Sequence, residues 1–318
     1  MRYLVTLKPL EPFMFGGEQT FGTLGDKEQG NYLVQSRQFP QQTAILGMLK
    51  KEFMTQTGLL TRKRRGEWVD KSKTVDAINL VGGEKFDMKC SELQDFGMIN
   101  ELSPIFLIKD RNRYLKKVNI DNYPYEENKL KGFNGKVDIY DNYVSLDDKM
   151  SLKSEDIFMA VEQTGNKKGG EENSLFKKTS FLLKDGFSFA FYLETNSPLK
   201  NSMVSLGADR SMFQMSIQES TQTLDYKDPK GYLTLLGDTY ITLDLKEHCH
   251  FAITSEISHR NLIGKKSVIK KSQFSKSETV YLYEKGSVII EPSQELIAVL
   301  NNQNLQQIGY NIYTIGEN

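Results

Sequence analysis

Four short segments, each beside a predicted strand or helix, constrain this chain more than any other feature. The first follows the opening strand, the second begins a helix, the third follows a second helix, and the fourth enters a late strand. The sequence contains no phosphate-binding loop, no strong metal-ligand cluster and no nucleophile paired with a base. The four segments are residues 13–17 (FMFGG), 39–43 (FPQQT), 206–210 (LGADR) and 285–288 (KGSV).

Hydrophobic periodicity predicts an α+β unit in the first two thirds of the chain. A strand over residues 2–8 is followed by a glycine-rich stretch and by a helix over about 41–57, with Pro40 in its first turn. Residues 157–161 and 187–193 have the pattern of strands. The polar stretch between them predicts a hairpin with a projecting tip.

A short helix near residues 199–205 and a strand over 212–217 complete the order β–α–insert–β–β–α–β. This is the order of a ferredoxin-like (RRM-like) domain. Further strands, a helix that begins after the N-cap Ser293 with Glu295 in its first turn, and a last strand repeat it less completely.

We therefore predict an α+β fold of two tandem ferredoxin-like (RRM-like) domains with loop insertions. The boundaries follow from where the periodic pattern closes and restarts. The predicted regions are a first domain at 1–219, an insertion within it at about 60–155, a thumb-like hairpin at about 157–193, and a second domain at 220–318.

The composition excludes several classes of protein. Charged residues make up 26% of the chain and hydrophobic residues 38%, as in globular proteins. No apolar run approaches the roughly 18 residues that a bilayer span requires, and Cys90 and Cys249 are too few for a disulfide framework. These features predict a cytoplasmic protein with no membrane partner.

The formal net charge is zero, with 41 basic and 41 acidic residues. A free-standing nucleic-acid binder is usually basic, but a subunit that contacts RNA over one face need not be. The basic residues are clustered, and each cluster has the alternative interpretation of a solvated loop. The clusters are residues 62–65 (RKRR), Lys167 and Lys168 with Lys177 and Lys178, and the acid-free stretch 257–277 with Arg260, Lys265, Lys266, Lys270, Lys271 and Lys276.

In their order and spacing, the four segments resemble those of the RAMP superfamily of CRISPR effector subunits, most closely subunit three of type III-B (Cmr) complexes. Residues 159–162, 175–179 and 185–189 are similar to the hairpin strand, Leu-Phe turn and second strand of that family. The resemblance covers the chain apart from about 60–155. One departure is Gly16-Gly17, where family members often carry an Arg or Asp.

The resemblance implies a non-catalytic subunit, without cofactor or metal, that caps the 5′ handle of the crRNA in antiviral defence. It also implies docking against the large polymerase-like subunit (Cmr subunit two) and the first backbone RAMP subunit (Cmr subunit four). Binding of single-stranded RNA requires basic loops, interleaved aromatic rings and close backbone approach at glycines.

On this basis we predict a set of RNA-binding residues in the basic clusters, the glycine-rich loop and the start of the helix, whose N-terminus could face a phosphate. The aromatic ring in the set has a second interpretation, core packing at a strand end. The set is Phe15, Gly16, Gly17, Arg37, Gln42, Lys167, Lys168, Lys177, Lys178, Arg210, Arg260, Lys265 and Lys266.

The histidines offer a catalytic alternative. His248, His250 and His259 lie within twelve residues, and in a strand the first two share one face. Such a group could hold a metal or serve as the acid–base pair of a RAMP-type endoribonuclease that processes precursor crRNA. Because the metal-ligand spacing is incomplete, an edge strand with surface histidines is favoured. A third alternative is a purely structural subunit that makes no RNA contact.

Overall fold

The computed structural model shows an α+β protein in which antiparallel strands predominate and helices are few and mostly short. These statements concern the described residues, which are 1–16, 19–21, 32–60, 63–64, 67–68, 72–83, 86–120, 123–127, 129–134, 136, 138–147, 149–166, 175–207, 209–228, 230–260, 262–265 and 273–316. The helices in these ranges are α1 (Gln42–Gln56), α2 (Ser72–Val81), α3 (Ser154–Ile157), α4 (Leu245–His248), α5 (Gln294–Leu300) and α6 (Gln303–Gln307).

The strands divide into two groups along the chain. The first group is β1 (Arg2–Pro9), β2 (Gln19–Phe21), β3 (Tyr32–Gln35), β4 (Lys63–Arg64), β5 (Glu67–Trp68), β6 (Ile99–Leu102), β7 (Phe106–Lys109), β8 (Asn112–Lys116), β9 (Tyr125–Glu126), β10 (Lys129–Leu130), β11 (Tyr143–Ser145) and β12 (Ser151–Leu152). The second group is β13 (Phe158–Asn166), β14 (Leu175–Leu183), β15 (Phe187–Thr195), β16 (Ser202–Leu206), β17 (Ser211–Glu219), β18 (Leu233–Leu235), β19 (Cys249–Ile253), β20 (Glu256–His259), β21 (Leu262–Lys265), β22 (Gln273–Lys276), β23 (Val280–Tyr283), β24 (Val288–Pro292) and β25 (Tyr313–Ile315).

The largest sheet has the order β12-β11-β8-β7-β15-β1-β17-β16, with β6 also paired to β15. β1 lies between β15 and β17 and is antiparallel to both, so that Val5 stands opposite Phe191 on one side and Ile217 on the other. The central order β7-β15-β1-β17, with α1 between β1 and β7 in the chain, is compatible with a ferredoxin-like fold. β7 itself comes from the region between residues 60 and 155, and β8, β11 and β12 of the same region extend this sheet at one edge.

The helix predicted at 41–57 is confirmed as α1. Its apolar stripe, which includes Ile45, Leu49 and Phe53, is fully buried in the main hydrophobic core. Gly58 follows the helix with a φ of 71°, a conformation that suits glycine at a helix end. Amphipathic spacing was therefore sufficient to locate this element.

The helix predicted near residues 199–205 is wrong, because this segment forms strand β16 in a hairpin with β17. Its side chains alternate with a period of two: Val204 and Leu206 are buried, whereas Met203 is 53% exposed. This alternation is that of a strand with one buried face. The first ferredoxin-like order therefore has a strand where its second helix was expected.

The partner predicted for residues 157–161 is also wrong. β13 pairs with β14, from Phe158 opposite Leu183 to Asn166 opposite Leu175, and β14 pairs in parallel with β3. The expected partner, β15, lies in the largest sheet, where its phenylalanines are buried. The hairpin exists, but its second strand is β14, and the residues 167–174 between the strands lie outside the described residues.

A second sheet has the order β19-β24-β18-β25, with every neighbouring pair antiparallel. This order is again compatible with a ferredoxin-like fold, with α4 following β18 and α5 following β24. Between β19 and β24 the chain forms a long hairpin, in which β20 pairs with β23 and β21 with β22. The N-cap predicted at Ser293 is confirmed, since its hydroxyl accepts from the Leu296 amide at 3.2 Å.

The main core cluster contains residues from both ends of the chain. Tyr3 and Val5 of β1 belong to the same cluster as Leu305, Ile308 and Tyr310. The core therefore fixes the C-terminal segment against the largest sheet and α1.

No helix in the described ranges is long and apolar enough to span a membrane.

Candidate nucleic-acid interface

Four separate segments meet beside Gly16, and we call this meeting point the junction: residues 13–16, 36–37, 177–181 and 207–210, of which Ala208 lies outside the described residues. Phe13 and Phe181 form an antiparallel bridge, with the Phe13 amide donating to the Phe181 carbonyl oxygen at 2.8 Å. The Ser36 amide donates to the Thr179 carbonyl oxygen at 2.9 Å. The junction therefore joins the chain after β1, the chain after β3, strand β14 and the turn before β17.

Two glycines shape the junction. Gly16 has a φ of 73° and open space where a Cβ would stand. At Gly207, with a φ of 89°, an added Cβ would come within 2.4 Å of the Met14 carbonyl oxygen. The 207–210 turn consequently lies directly on the 13–16 segment, and only glycine permits that approach.

Arg210 is an exposed cation of the junction. Its backbone has a φ of 57°, which is uncommon for a residue other than glycine, and its amide donates to the Gly207 carbonyl oxygen at 3.2 Å. This turn presents the Arg210 side chain to solvent. Among the predicted RNA-binding side chains, Arg210 is therefore one that is open to solvent.

The two lysines of β14 have acidic partners. Lys178 forms an ion pair with Asp209 of the 207–210 turn, and Lys177 pairs with Glu162 of β13 at 2.8 Å. The first pair joins the hairpin to the turn, and the second lies across the hairpin itself. Both cations are thus partly neutralised within the protein.

Arg37 makes a second link out of the junction. Its amide donates to the Gly16 carbonyl oxygen at 3.1 Å. Its guanidinium Nη2 donates to the carbonyl oxygen of Ser258 in β20 and to the Ser258 hydroxyl at 3.1 Å. The side chain therefore connects the junction to the β20–β23 ladder, which lies between β19 and β24 in the chain.

The prediction that Phe15 contacts RNA is wrong for its ring, because the side chain is only 8% exposed. The ring stacks on Phe13 with centroids 4.5 Å apart and packs against Phe189 and Phe213. The alternative interpretation, core packing at a strand end, is therefore the correct one. An aromatic residue before a glycine has the same sequence pattern in either role.

The prediction for Gln42 is also wrong, because its side chain is buried and its Nε2 donates to the Ser103 carbonyl oxygen at 2.7 Å. At the same helix end, the Thr43 amide donates to the Tyr310 hydroxyl at 3.3 Å. Burial raises the pKa of Tyr310 far above its usual value, so this hydroxyl is neutral. The N-terminus of α1 is therefore covered by protein and is not open to a phosphate.

The remaining predicted cations lie away from the junction or outside the description. Arg260 is exposed at the end of β20, where its Nε donates to the Thr279 hydroxyl at 2.6 Å. Lys265 is described only by its backbone, which pairs with Gln273. The predicted residues outside the described ranges are Gly17, Lys167, Lys168 and Lys266.

The three histidines have three different environments. His248 is the last residue of α4, not part of a strand, and its Nδ1 lies 3.2 Å from the Ser293 hydroxyl. His250 is exposed against the Tyr125 ring, whereas His259 is buried against Tyr310. Among the described residues, no group of three or more metal-ligating side chains occurs. The expected shared face of His248 and His250 is therefore wrong.

Sequence reasoning missed a contact between two of the four segments. The buried ammonium of Lys285 lies 4.2 Å from the centre of the Phe39 ring, a cation–π contact. Burial lowers the pKa of Lys285, while the carboxylates of Asp238 and Glu284 act in the opposite direction. The motif lysine thus anchors residues 285–288 to the start of α1.

Comparison with known proteins finds similarity in structure alone. Neither a protein-family profile nor a curated protein matches the sequence. A chain in the cryo-EM structure of the type III-B Cmr-beta bound to cognate target RNA is similar with a TM-score of 0.54 and 13% identity, over 98% of this chain and 96% of that chain.

Two further solved structures are similar over nearly the whole chain. A chain of type III-B Cmr-beta bound to cognate target RNA and AMPPNP (state 1) gives a TM-score of 0.52 and 14% identity, with coverage of 98% and 96%. A chain of the Csm3–Csm4 subcomplex of the type III-A CRISPR-Cas interference complex gives 0.38 and 12%, with coverage of 99% and 97%. The protein therefore shares its fold with a chain of the type III-B Cmr-beta complex.

Proposed function

We propose that this protein is an RNA-binding subunit of a type III CRISPR effector complex, of subtype III-B, that caps the 5′ handle of the crRNA. The observation that carries the proposal is the shared fold, which extends over 98% of this chain and 96% of a chain from an RNA-bound Cmr-beta complex. The order and spacing of the four sequence segments agree with the same family.

The positions of the four segments support a common role. Residues 13–16 contact the turn at 207–210 through Gly207, and Phe39 contacts Lys285 of the segment 285–288. The short stretch from Ser36 to Phe39 connects these two contacts along the chain. Segments that are far apart in sequence thus form one continuous region, as expected if they serve one binding surface.

The accessible chemistry of this region suits a single-stranded RNA. Arg210 offers an exposed guanidinium for a phosphate, and Gly16 offers open backbone for close approach. We further propose that the two sheets belong to two tandem ferredoxin-like domains that hold the handle between them. The large polymerase-like subunit and the first backbone RAMP subunit are the proposed protein partners.

The test is a complex purified from cells that express the whole effector operon and a CRISPR array, with the tag on a neighbouring subunit. We expect the bound RNAs to share one 5′ end that is protected from nuclease, and a complex lacking this subunit to lose that protection. An unchanged 5′ end without the subunit would refute the capping role.

A matched pair of variants locates the contact within the complex. Arg210→Glu should expose the 5′ end to nuclease, because repulsion replaces a phosphate contact. Arg111→Glu changes an equally basic, exposed side chain in the turn between β7 and β8 and should leave the footprint intact. Equal effects of the two variants would argue against an interface at the junction.

We propose that the subunit does not cleave RNA, and the histidine alternative has its own test. His248→Ala with His250→Ala should leave crRNA processing unchanged, and His259→Phe, which conserves a buried ring against Tyr310, should do the same. Accumulation of uncut precursor in any of these variants would favour the endoribonuclease.

A further inference from the structure

Arg37 connects two long hairpins that belong to different sheets. The first hairpin is β13–β14, and the second begins with β20 and β23. Ser36 is bound to the first hairpin through the Thr179 carbonyl oxygen at 2.9 Å, and the Arg37 guanidinium is bound to Ser258 of the second. We propose that Arg37 is a positioning residue that fixes the two hairpins relative to each other and so sets the shape of the RNA-binding surface. This role in RNA binding rests on the function proposed above.

The backbone around Arg37 is held firmly on the side of the first hairpin. The Ser36 hydroxyl accepts from the Phe15 amide at 2.9 Å and donates to the Arg37 carbonyl oxygen at 2.8 Å. The Arg37 amide donates to the Gly16 carbonyl oxygen at 3.1 Å. Because these bonds fix the backbone, the side chain of Arg37 has a defined origin from which to reach β20.

The acceptor lies beyond the base of the second hairpin. Near that base, the Thr239 amide donates to the Tyr283 carbonyl oxygen at 2.8 Å. Ser258 stands opposite Tyr281, further along the same ladder. The Arg37 contact therefore restrains a part of the hairpin that the Thr239 bridge does not reach.

The chemistry of the contact favours arginine over lysine. Both bonds come from one planar Nη2 group and go to two oxygens of the same residue, and the guanidinium is half-buried. A lysine ammonium is a flexible point charge and does not reproduce a planar, oriented pair of donors. These bonds also engage the side chain within the protein, which distinguishes it from the exposed Arg210.

The salt dependence of RNA affinity distinguishes a residue that positions the surface from one that binds a phosphate. The slope of log K against log salt is negative, and loss of one phosphate contact reduces its magnitude by about one, because one fewer counterion is released. Loss of a positioning contact weakens binding but leaves the number of phosphate contacts, and hence the slope, unchanged. The conservative Arg37→Lys variant separates the two further, since it retains the charge and loses the planar fork.

The experiment uses the full chain with Cys90 and Cys249 replaced by Ser and spin labels at the exposed positions Gln163→Cys and Tyr281→Cys. The distance between the labels reports on the two hairpins. The RNA probe is a synthetic single strand with the sequence of the RNA that co-purifies with the complex. Arg37→Ala, Arg37→Lys and Ser258→Ala are compared with Arg210→Ala as the control, after thermal melts confirm that each folds.

We expect Arg37→Ala and Arg37→Lys to broaden the label distance and to weaken RNA binding by about tenfold without a change in salt slope. Ser258→Ala should act in the same direction, less strongly, and Arg210→Ala should lower the slope with an unchanged distance. An unchanged label distance in both Arg37 variants would overturn the proposal. So would a smaller salt slope for Arg37→Ala together with near-normal RNA binding by Arg37→Lys, because that is the behaviour of a phosphate ligand. If the unaltered chain fails to bind the probe, RNA binding by the isolated subunit is refuted, while the distances still decide whether Arg37 positions the hairpins. The nuclease footprint of the complex decides the capping role separately.

Discussion

The two sheets with the same strand order differ in size. In the first, β1, β15 and β17 contain eight or nine residues each, and α1 contains 15. In the second, the strands contain three to five residues, and the helices α4 and α5 contain four and seven. A long element buries more apolar area relative to the unpaired backbone groups at its two ends. The shorter elements must gain stability in another way.

Side-chain caps are one source of stability for the short helices. Three short helices each have a side chain that accepts from the first turn: Asp244 from Lys246 in α4, Ser293 from Leu296 in α5, and Asn302 from Leu305 in α6. α4 and α5 belong to the second sheet, whereas Leu305 of α6 packs in the main core. Among the described residues, α1 has no such side-chain cap at Gln41. Helices shorter than about 12 residues are marginal without tertiary support. Side-chain caps therefore support the short helices α4 and α5, whereas α1 has a longer buried apolar stripe.

A buried ion pair links the two sheets. Lys117 and Asp228 lie 3.3 Å apart, with side chains that are 1% and 0% exposed. Asp228 also accepts from the Thr234 hydroxyl at 2.9 Å and from the Lys230 amide at 2.9 Å. The carboxylate thus joins β18, the segment that precedes it and the end of β8.

The largest loss of stability is expected for Asp228→Ala. Removal of the carboxylate breaks the buried ion pair with Lys117 and the two hydrogen bonds that Asp228 accepts, which lowers the free energy of unfolding by about 3 to 5 kcal/mol. Chemical denaturation measures the loss. In the double variant Lys117→Met with Asp228→Leu, most of the stability should return, because replacing both charges by apolar groups of similar volume is often neutral. A single variant as stable as the unaltered protein would show that polar contacts do not dominate here.

The next largest loss is expected for Phe15→Ala, which tests apolar packing in the first sheet. The stacked ring against Phe13, Phe189 and Phe213 is removed from a closely packed cluster, which costs about 3 kcal/mol. The midpoint of guanidinium denaturation reports the loss. Because the ring is buried, the salt slope of RNA binding should not change. A stable variant with a lower RNA affinity would restore the original assignment of Phe15 to RNA.

Elements that depend on contacts within a few residues could be predicted from the sequence, whereas elements that depend on distant partners could not. The first strand, α1 and the cap at Ser293 depend on neighbours within a few residues, so periodicity and capping rules located them. β14 and β16 were missed because their strand character depends on distant partners: β14 joins β13 and β3, and β16 joins β17. Strand propensity reflects such packing more than the local sequence.

The candidate site was predicted in part for the same reason. Gly16, Arg37 and Arg210 were identified from short segments, and the structure brings all three to the junction. The roles of their partners depend on contacts across the chain, such as the bond from Arg37 to Ser258, 221 residues away. Nothing in the local sequence marks a serine as the acceptor of that bond. Burial of Phe15 and Gln42 is likewise a property of the folded chain.

A smaller loss is expected for Ser293→Ala, which removes the cap of α5. Loss of the hydroxyl that accepts from Leu296 costs about 1 kcal/mol. Gln41→Ala is the matched control at the N-cap of α1, where the side chain makes no capping hydrogen bond, and should be within about 0.5 kcal/mol of the unaltered protein. Urea denaturation of the two variants compares them directly. Equal losses would remove the distinction between a capped and a packed helix.

The smallest expected effect is a change in one pKa at the same helix end. A hydrogen bond from its own backbone amide, followed by one from the Ser293 hydroxyl, holds the pKa of Glu295 below its ordinary value. A group with a lowered folded-state pKa stabilises the protein above its unfolded pKa, and this contribution is lost as the pH falls through the folded-state pKa. Ser293→Ala should therefore raise the pKa of Glu295 toward its ordinary value and reduce the loss of stability on acidification. Carboxyl NMR titration measures the shift, and Asn302→Ala, which removes the cap of α6 instead, should leave it unchanged. If Glu295 titrates at the same pH with and without the serine, the hydroxyl is not part of its environment and the cap acts on the backbone alone.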